Sequence, residues 1–122
     1  LILNDGKYQN ERIIPKWYMD EAFVPAKLTT MQDAPNQRYG LHWWVAPGAG
    51  DTLRYARGIN GQYVLVVPSK RLVVVRTGHK RTPDVLDASA LKTEQVGPFR
   101  HQVGHPPDVF EYLQIAFRLA EN

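Results

Sequence analysis

Tyr55-Ala56-Arg57-Gly58-Ile59-Asn60-Gly61-Gln62-Tyr63, running on into Val64-Leu65-Val66-Val67-Pro68, decides the fold. A turn marked by two glycines leads directly into a strand. Glycines three apart let the backbone take φ > 0, or approach a ligand, without a Cβ clash. The run that follows is apolar on both faces and β-branched, which predicts a strand covered on both sides. A loop at a strand edge with free backbone N–H groups suits a developing negative charge. The plainer reading of the same stretch is a β-bulge or a tight hairpin with no chemistry.

Outward from this stretch, the neighbouring segments read as one meander. Tyr39 to Val45 is aromatic and β-branched and predicts a strand. Ala46 to Asp51 reads as a turn, and Leu53 to Arg57 as a second strand. Gln62 to Val67 is the third strand, Pro68 to Arg71 a hairpin turn, and 72–77 the fourth strand. Connections this short favour antiparallel pairing. Asp108 to Ala120 predicts a helix, introduced by Pro107. Val109, Leu113, Ala116 and Ala120 recur at helical spacing, and the rest of the surface is broadly apolar, so the helix should pack on the sheet. The fold class is therefore α+β: an antiparallel meander with a C-terminal helix on one face.

The first 38 residues read as a helical and loop segment, distinct from 39–122. Leu1 to Leu3 with Gly6 suggests a helix end, and Lys7 to Arg12 a polar turn. Pro15 opens a short helix in which Trp17, Met19 or Ala22, and Phe23 can share a side. Pro25 ends it, and 26–38 reads as a loop. Segment 78–107 is rich in Pro and Gly, with room for a helical turn or two over 83–92. Opening on Leu1-Ile2-Leu3, without a charged leader, the chain is expected to be a fragment.

Composition narrows the function classes. The net charge of +3 comes from scattered Lys and Arg, which gives no case for nucleic acid. There is no cysteine, hence no disulfide frame and no thiolate metal site. No run approaches the roughly 18 apolar residues of a membrane span. His101 and His105 are four apart, but Gly104 and Pro106 work against a helix and a third zinc ligand is missing, so no metal is expected. His42 reads as a packed or edge histidine. Trp43 and Trp44 should point to opposite faces of a strand, one of them into the core and the other free to line a pocket. Asp84 and Asp87 read as a solvated face or a cap.

Three longer stretches carry a family resemblance. LILNDGKYQNERIIPKWYMDEAFVP, YGLHWWV and ARGINGQYVLVVPSKRLVVVRTG together resemble the C-terminal third of the serine β-lactamase-related hydrolases. That group holds class C β-lactamases, DD-peptidases, family VIII esterases and 6-aminohexanoate-dimer hydrolases. The resemblance covers about residues 1 to 78. It implies part of a β-lactamase/transpeptidase-like fold, beside an all-helical domain. It also implies hydrolysis of a small-molecule ester, amide or β-lactam-like substrate through an acyl-serine, with no cofactor. The family's third motif, often Lys-Thr-Gly, falls at Ala56-Arg57-Gly58, where lysine and threonine are replaced and only the glycine is kept. Such departures resemble the esterase and amidase branches. The oxyanion donor is then the backbone N–H of Ile59, with Gly58 as its catalytic neighbour. Arg57, Asn60, Gly61 and Gln62 become the pocket residues.

Other motif matches run in the wrong order for that family. Ser89-Ala90-Leu91-Lys92 matches Ser-x-x-Lys, Tyr8-Gln9-Asn10 matches Tyr-x-Asn, and Arg76-Thr77-Gly78 resembles Lys-Thr-Gly. The family runs serine, tyrosine, strand motif, whereas Tyr8 comes first here and Ser89 follows the strands. These three are read as decoys, with the nucleophile upstream and this chain inactive alone. The competing readings are a non-catalytic scaffold of the same fold and a small independent binding module. The fragment reading also implies self-association through exposed apolar surface. Gly58→Val is expected to be severe, and Ile59→Val nearly silent.

Overall fold

The computed structural model describes residues 1–26 and 38–121. The predicted loop over 26–38 thus falls almost wholly outside the described residues. The chain forms two compact units, Leu1–Val45 and Ala46–Asn122.

In the first unit, Ile2–Asn4 is one 3-10 turn rather than the end of an α-helix. The polar run after it pairs as a small antiparallel hairpin, β1 (Lys7–Tyr8) with β2 (Glu11–Arg12). Gln9 and Asn10 turn it with φ of 49° and 66°, as a two-residue hairpin connection requires. Helix α1 (Lys16–Glu21) follows Pro15. Met19, Ala22 and Phe23 are buried with Val45, and Ile2, Ile14, Tyr18, Leu41 and Trp43 pack against them. Trp17 does not join that side. It is 60% exposed, because six helical residues have only one inward face and Met19 occupies it.

The strand expected over 39–45 is the main correction. Only an isolated bridge joins Tyr39 to Trp44, and His42 sits at φ 69° on the surface. The strand proper, β3, is Trp44–Gly48, so it includes the Pro47-Gly48 expected in a turn. Trp43 packs edge-on against Phe23, and Trp44 lies against Tyr39. Aromatic content drew the strand too early. These rings are spent on local stacking around a positive-φ residue, which breaks the pleat.

The sheet continues with β4 (Asp51–Gly58), β5 (Gln62–Val67) and β6 (Leu72–Arg76), in the order β3-β4-β5-β6. Both β4–β5 and β5–β6 are antiparallel. Tyr55 faces Leu65, which faces Val74. Arg57 faces Tyr63, which faces Arg76. Residues directly opposite share a face, so Leu53, Tyr55, Tyr63, Leu65 and Val67 make one buried layer. The second face carries Ala56, Val64 and Val75 in one row. The expectation of cover on both sides is met on the first face alone at β6, where Val73 is 47% and Val75 67% exposed.

Segment 83–92 forms only the 3-10 turn Ala88–Ala90. A second small hairpin, unforeseen in the sequence, pairs β7 (Gln95–Val96) with β8 (Phe99–Arg100). Helix α2 (Pro107–Ala120) covers the buried layer. Its inward stripe is Val109, Phe110, Leu113 and Phe117, a slightly different face from the predicted one. Ala120 is exposed, and so are Ile115 and Leu119. Two phenylalanines bury far more area than two alanines, so the helix turns to put them inside. Among the described residues, no helix is long and apolar enough to cross a membrane.

Candidate functional site

The β4–β5 connection is a tight hairpin. Gly58 faces Gln62, which leaves Ile59, Asn60 and Gly61 as the loop. Asn60 and Gly61 have φ of 66° and 82°. Asn tolerates that region, and glycine occupies it without strain. Ile59 projects into solvent, 85% exposed. Its N–H makes no hydrogen bond among the described residues.

This loop rims an open depression of about 590 Å³. Arg57, Gly58, Ile59 and Asn60 line one side, and His79, Lys80 and Arg81 line the other. Arg57 lays its guanidinium along the Asp84 carboxylate, Nη1 to Oδ1 at 3.0 Å and Nη2 to Oδ2 at 3.2 Å. This two-pronged arrangement fixes the plane of the guanidinium as well as its position. Arg81 donates to the same Oδ1 at 2.9 Å. One carboxylate therefore serves two cations, and Lys80 adds a third charge to the rim. The depression favours negative charge.

Gly61 and Gln62 do not line the depression; they brace it from behind. The Gln62 side chain accepts the Gly78 N–H at 3.1 Å and donates to the Gly78 carbonyl at 2.5 Å. Arg76 Nη1 donates to the carbonyls of Gly61 and Lys80, both at 2.7 Å, and more weakly to that of Asn60 at 3.3 Å. The demand for glycine also sits elsewhere than expected. Gly58 is not in the left-handed region, and a Cβ there would meet only the Gln62 side chain, at 3.4 Å. The severe Gly58→Val effect therefore has no basis in the backbone. At Gly61 a Cβ would run into the Arg76 guanidinium and lie 2.7 Å from the Lys80 carbonyl.

The remaining motif residues are occupied elsewhere. Ser89 N–H donates to Asp87 Oδ1 at 2.9 Å, which caps the 3-10 turn. That hydrogen bond holds the Asp87 carboxyl below its usual value. The chain leaves the turn at Leu91 (φ −72°, ψ 139°), so Lys92 shares no helical face with Ser89. Lys92 Nζ instead meets Glu111 Oε1 at 2.5 Å, and this partner raises its pKa. Tyr8 is exposed in β1 and Asn10 is the hairpin turn, both in the first unit.

Beneath the sheet lies a polar assembly that sequence reasoning missed. Tyr55 Oη and His105 Nδ1 share a hydrogen bond of 2.6 Å, with both residues buried. Tyr63 Oη donates to Asp108 Oδ1 at 2.9 Å. Burial, then the Asp108 carboxylate, raise the Tyr63 pKa, so the phenol keeps its proton. Asp108 N–H donates to Thr82 Oγ1 at 3.1 Å, so Thr82 caps α2 from outside the helix. His101 packs on Phe110 at 4.8 Å. Burial, and next the charge of Lys92, lower its pKa. Among the described residues, no three acidic or imidazole groups are placed to hold a metal ion. Asp84, read as a solvated face or a cap, instead holds Arg57 and Arg81, and Arg76, set aside with a decoy motif, braces the loop. The one signal for Arg76 was a lone charge closing a valine strand two residues before Gly78.

No family model matches the chain, and no curated protein matches it.

Proposed function

We propose that this chain is the sheet-and-helix part of a serine hydrolase of the β-lactamase-related type. It would act on a small ester or amide through an acyl-serine. The nucleophile and its lysine are assigned to sequence outside residues 1–122. Ile59 N–H is one donor of the oxyanion hole, and the depression beside it receives the acyl group.

One observation carries this reading: a backbone N–H with no partner among the described residues, on a braced hairpin, at the rim of a cationic depression. A donor fixed before the reaction needs no reorganisation when the tetrahedral oxyanion forms. Arg57, Lys80 and Arg81 add favourable potential for the same charge. The second reading is a non-catalytic scaffold of the same fold. Ala56 favours it, since the family's motif lysine is missing there, and so does Arg57, committed to Asp84.

The test is turnover of a short-chain p-nitrophenyl ester by the whole protein that carries this chain. Ile59→Pro removes the N–H and should cost about 10²–10³ in kcat, as for other single oxyanion donors. Ile59→Val keeps the amide and should be nearly silent. Ser89→Ala should retain activity. Unchanged turnover in Ile59→Pro, or its loss in Ser89→Ala, overturns the assignment. A whole protein inert toward esters leaves the scaffold reading.

A further inference from the structure

We propose that Arg76 is the positioning residue for this site. It fixes the Ile59 amide and holds the two walls of the depression in register. The catalytic half of the proposal rests on the hydrolase reading; the structural half does not.

Arg76 is the last residue of β6 and faces Tyr63 across the sheet. From that anchored position its side chain reaches three carbonyls. Two belong to the loop, Asn60 and Gly61, and the third to Lys80 on the opposite wall. Its guanidinium also lies over the Tyr112 ring of α2, 5.1 Å from the ring centre. One planar cation thus ties loop, opposite wall, sheet and helix together. Lysine has no planar fork and cannot reproduce that geometry.

The glycines around it are cut to its shape. A Cβ on Gly61 would strike the guanidinium, and one on Gly78 would lie 2.5 Å from Nη1 and 2.6 Å from Nη2. Gly61 is buried and has φ 82°, so a side chain there would meet both strain and a clash. Gln62 adds the second tie, between the start of β5 next to the loop and Gly78. Ile59, with no tie of its own among the described residues, takes its orientation from Asn60 and Gly61 beside it. A donor misaimed by about 1 Å can cost on the order of 10² in rate.

Arg76→Ala and the milder Arg76→Lys are compared with wild type in the whole protein. Gly61→Ala is the third variant, which displaces Arg76 while keeping it. Two readouts are taken: ester turnover, and the backbone amide resonances of Ile59 and Asn60. In all three variants kcat should fall, by about 10² for Arg76→Ala, with KM little changed. The Ile59 and Asn60 resonances should shift or broaden while those of β5 stay in place. Millimolar guanidinium added to Arg76→Ala should restore part of kcat and the resonances, a rescue that a general loss of stability would not give. Unmoved Ile59 resonances in Arg76→Ala, or full kcat in Arg76→Lys, overturn the proposal. A wild type without esterase activity overturns the hydrolase reading and the catalytic half together. The amide resonances then decide the structural half alone.

Discussion

Tyr63 and Arg76 face each other across β5 and β6, but their polar groups go to different kinds of partner. Tyr63 is 2% exposed and sends its hydroxyl inward to Asp108 at the start of α2. Arg76 is half-buried and sends its guanidinium to the rim of the depression. Around Tyr63 the polar groups are few and buried, and each has a partner. A group left unmatched there keeps its whole desolvation cost. Around Arg76 the acceptors are backbone carbonyls close to water, and the ties set a shape. The inner assembly answers for stability and the rim for geometry.

The largest expected effect lies in the inner assembly. Phe110 is fully buried and touches both His101 and His105. Phe110→Ala should cost about 3–5 kcal/mol in urea unfolding, the range for emptying an aromatic site. A cost under about 1 kcal/mol would mean that α2 is not the cover of the buried layer.

Tyr63→Phe comes next. It keeps the ring and removes the donor, so Asp108 stays buried without it. The loss should be about 1–3 kcal/mol. The Ile59 amide resonance should not move. If it does, the inner assembly and the rim are coupled and the contrast with Arg76 fails.

The smallest effect is a pH dependence at His101. Its folded pKa lies below the ordinary 6.5, because burial disfavours the imidazolium. The unfolded chain therefore takes the proton first as pH falls. Stability from this residue is complete above 6.5 and declines as pH drops from there through the lowered folded value. His101→Phe should flatten that part of a melting-temperature profile. An unchanged slope would place the acid sensitivity on another group.

Much of the sheet was legible because its signals are local. Val64 to Val67 and 72–76 are short apolar runs between turn residues, and only a strand can use them. Pro107 and Asp108 mark the start of α2 for equally local reasons. The failures share a cause as well. Tyr39 to Trp43 has strand composition, but its rings are taken by Phe23 and by Trp44, partners distant or unforeseeable in sequence. Gly58 and Gly61 look equivalent in the text, and only the path of the Arg76 side chain separates them.

The sequence by itself determined an α+β chain, the strand pair around the 59–61 loop and the closing helix. Hydrophobic period and turn chemistry act over a few residues, and those are written in order along the chain. Only the tertiary structure decided which face α2 buries, that Asp84 holds Arg57, and that Arg76 ties 60 and 61 to 80. Those outcomes depend on side chains brought together across strands. A guanidinium takes whatever acceptors the folded backbone sets before it, and no spacing rule records which they will be.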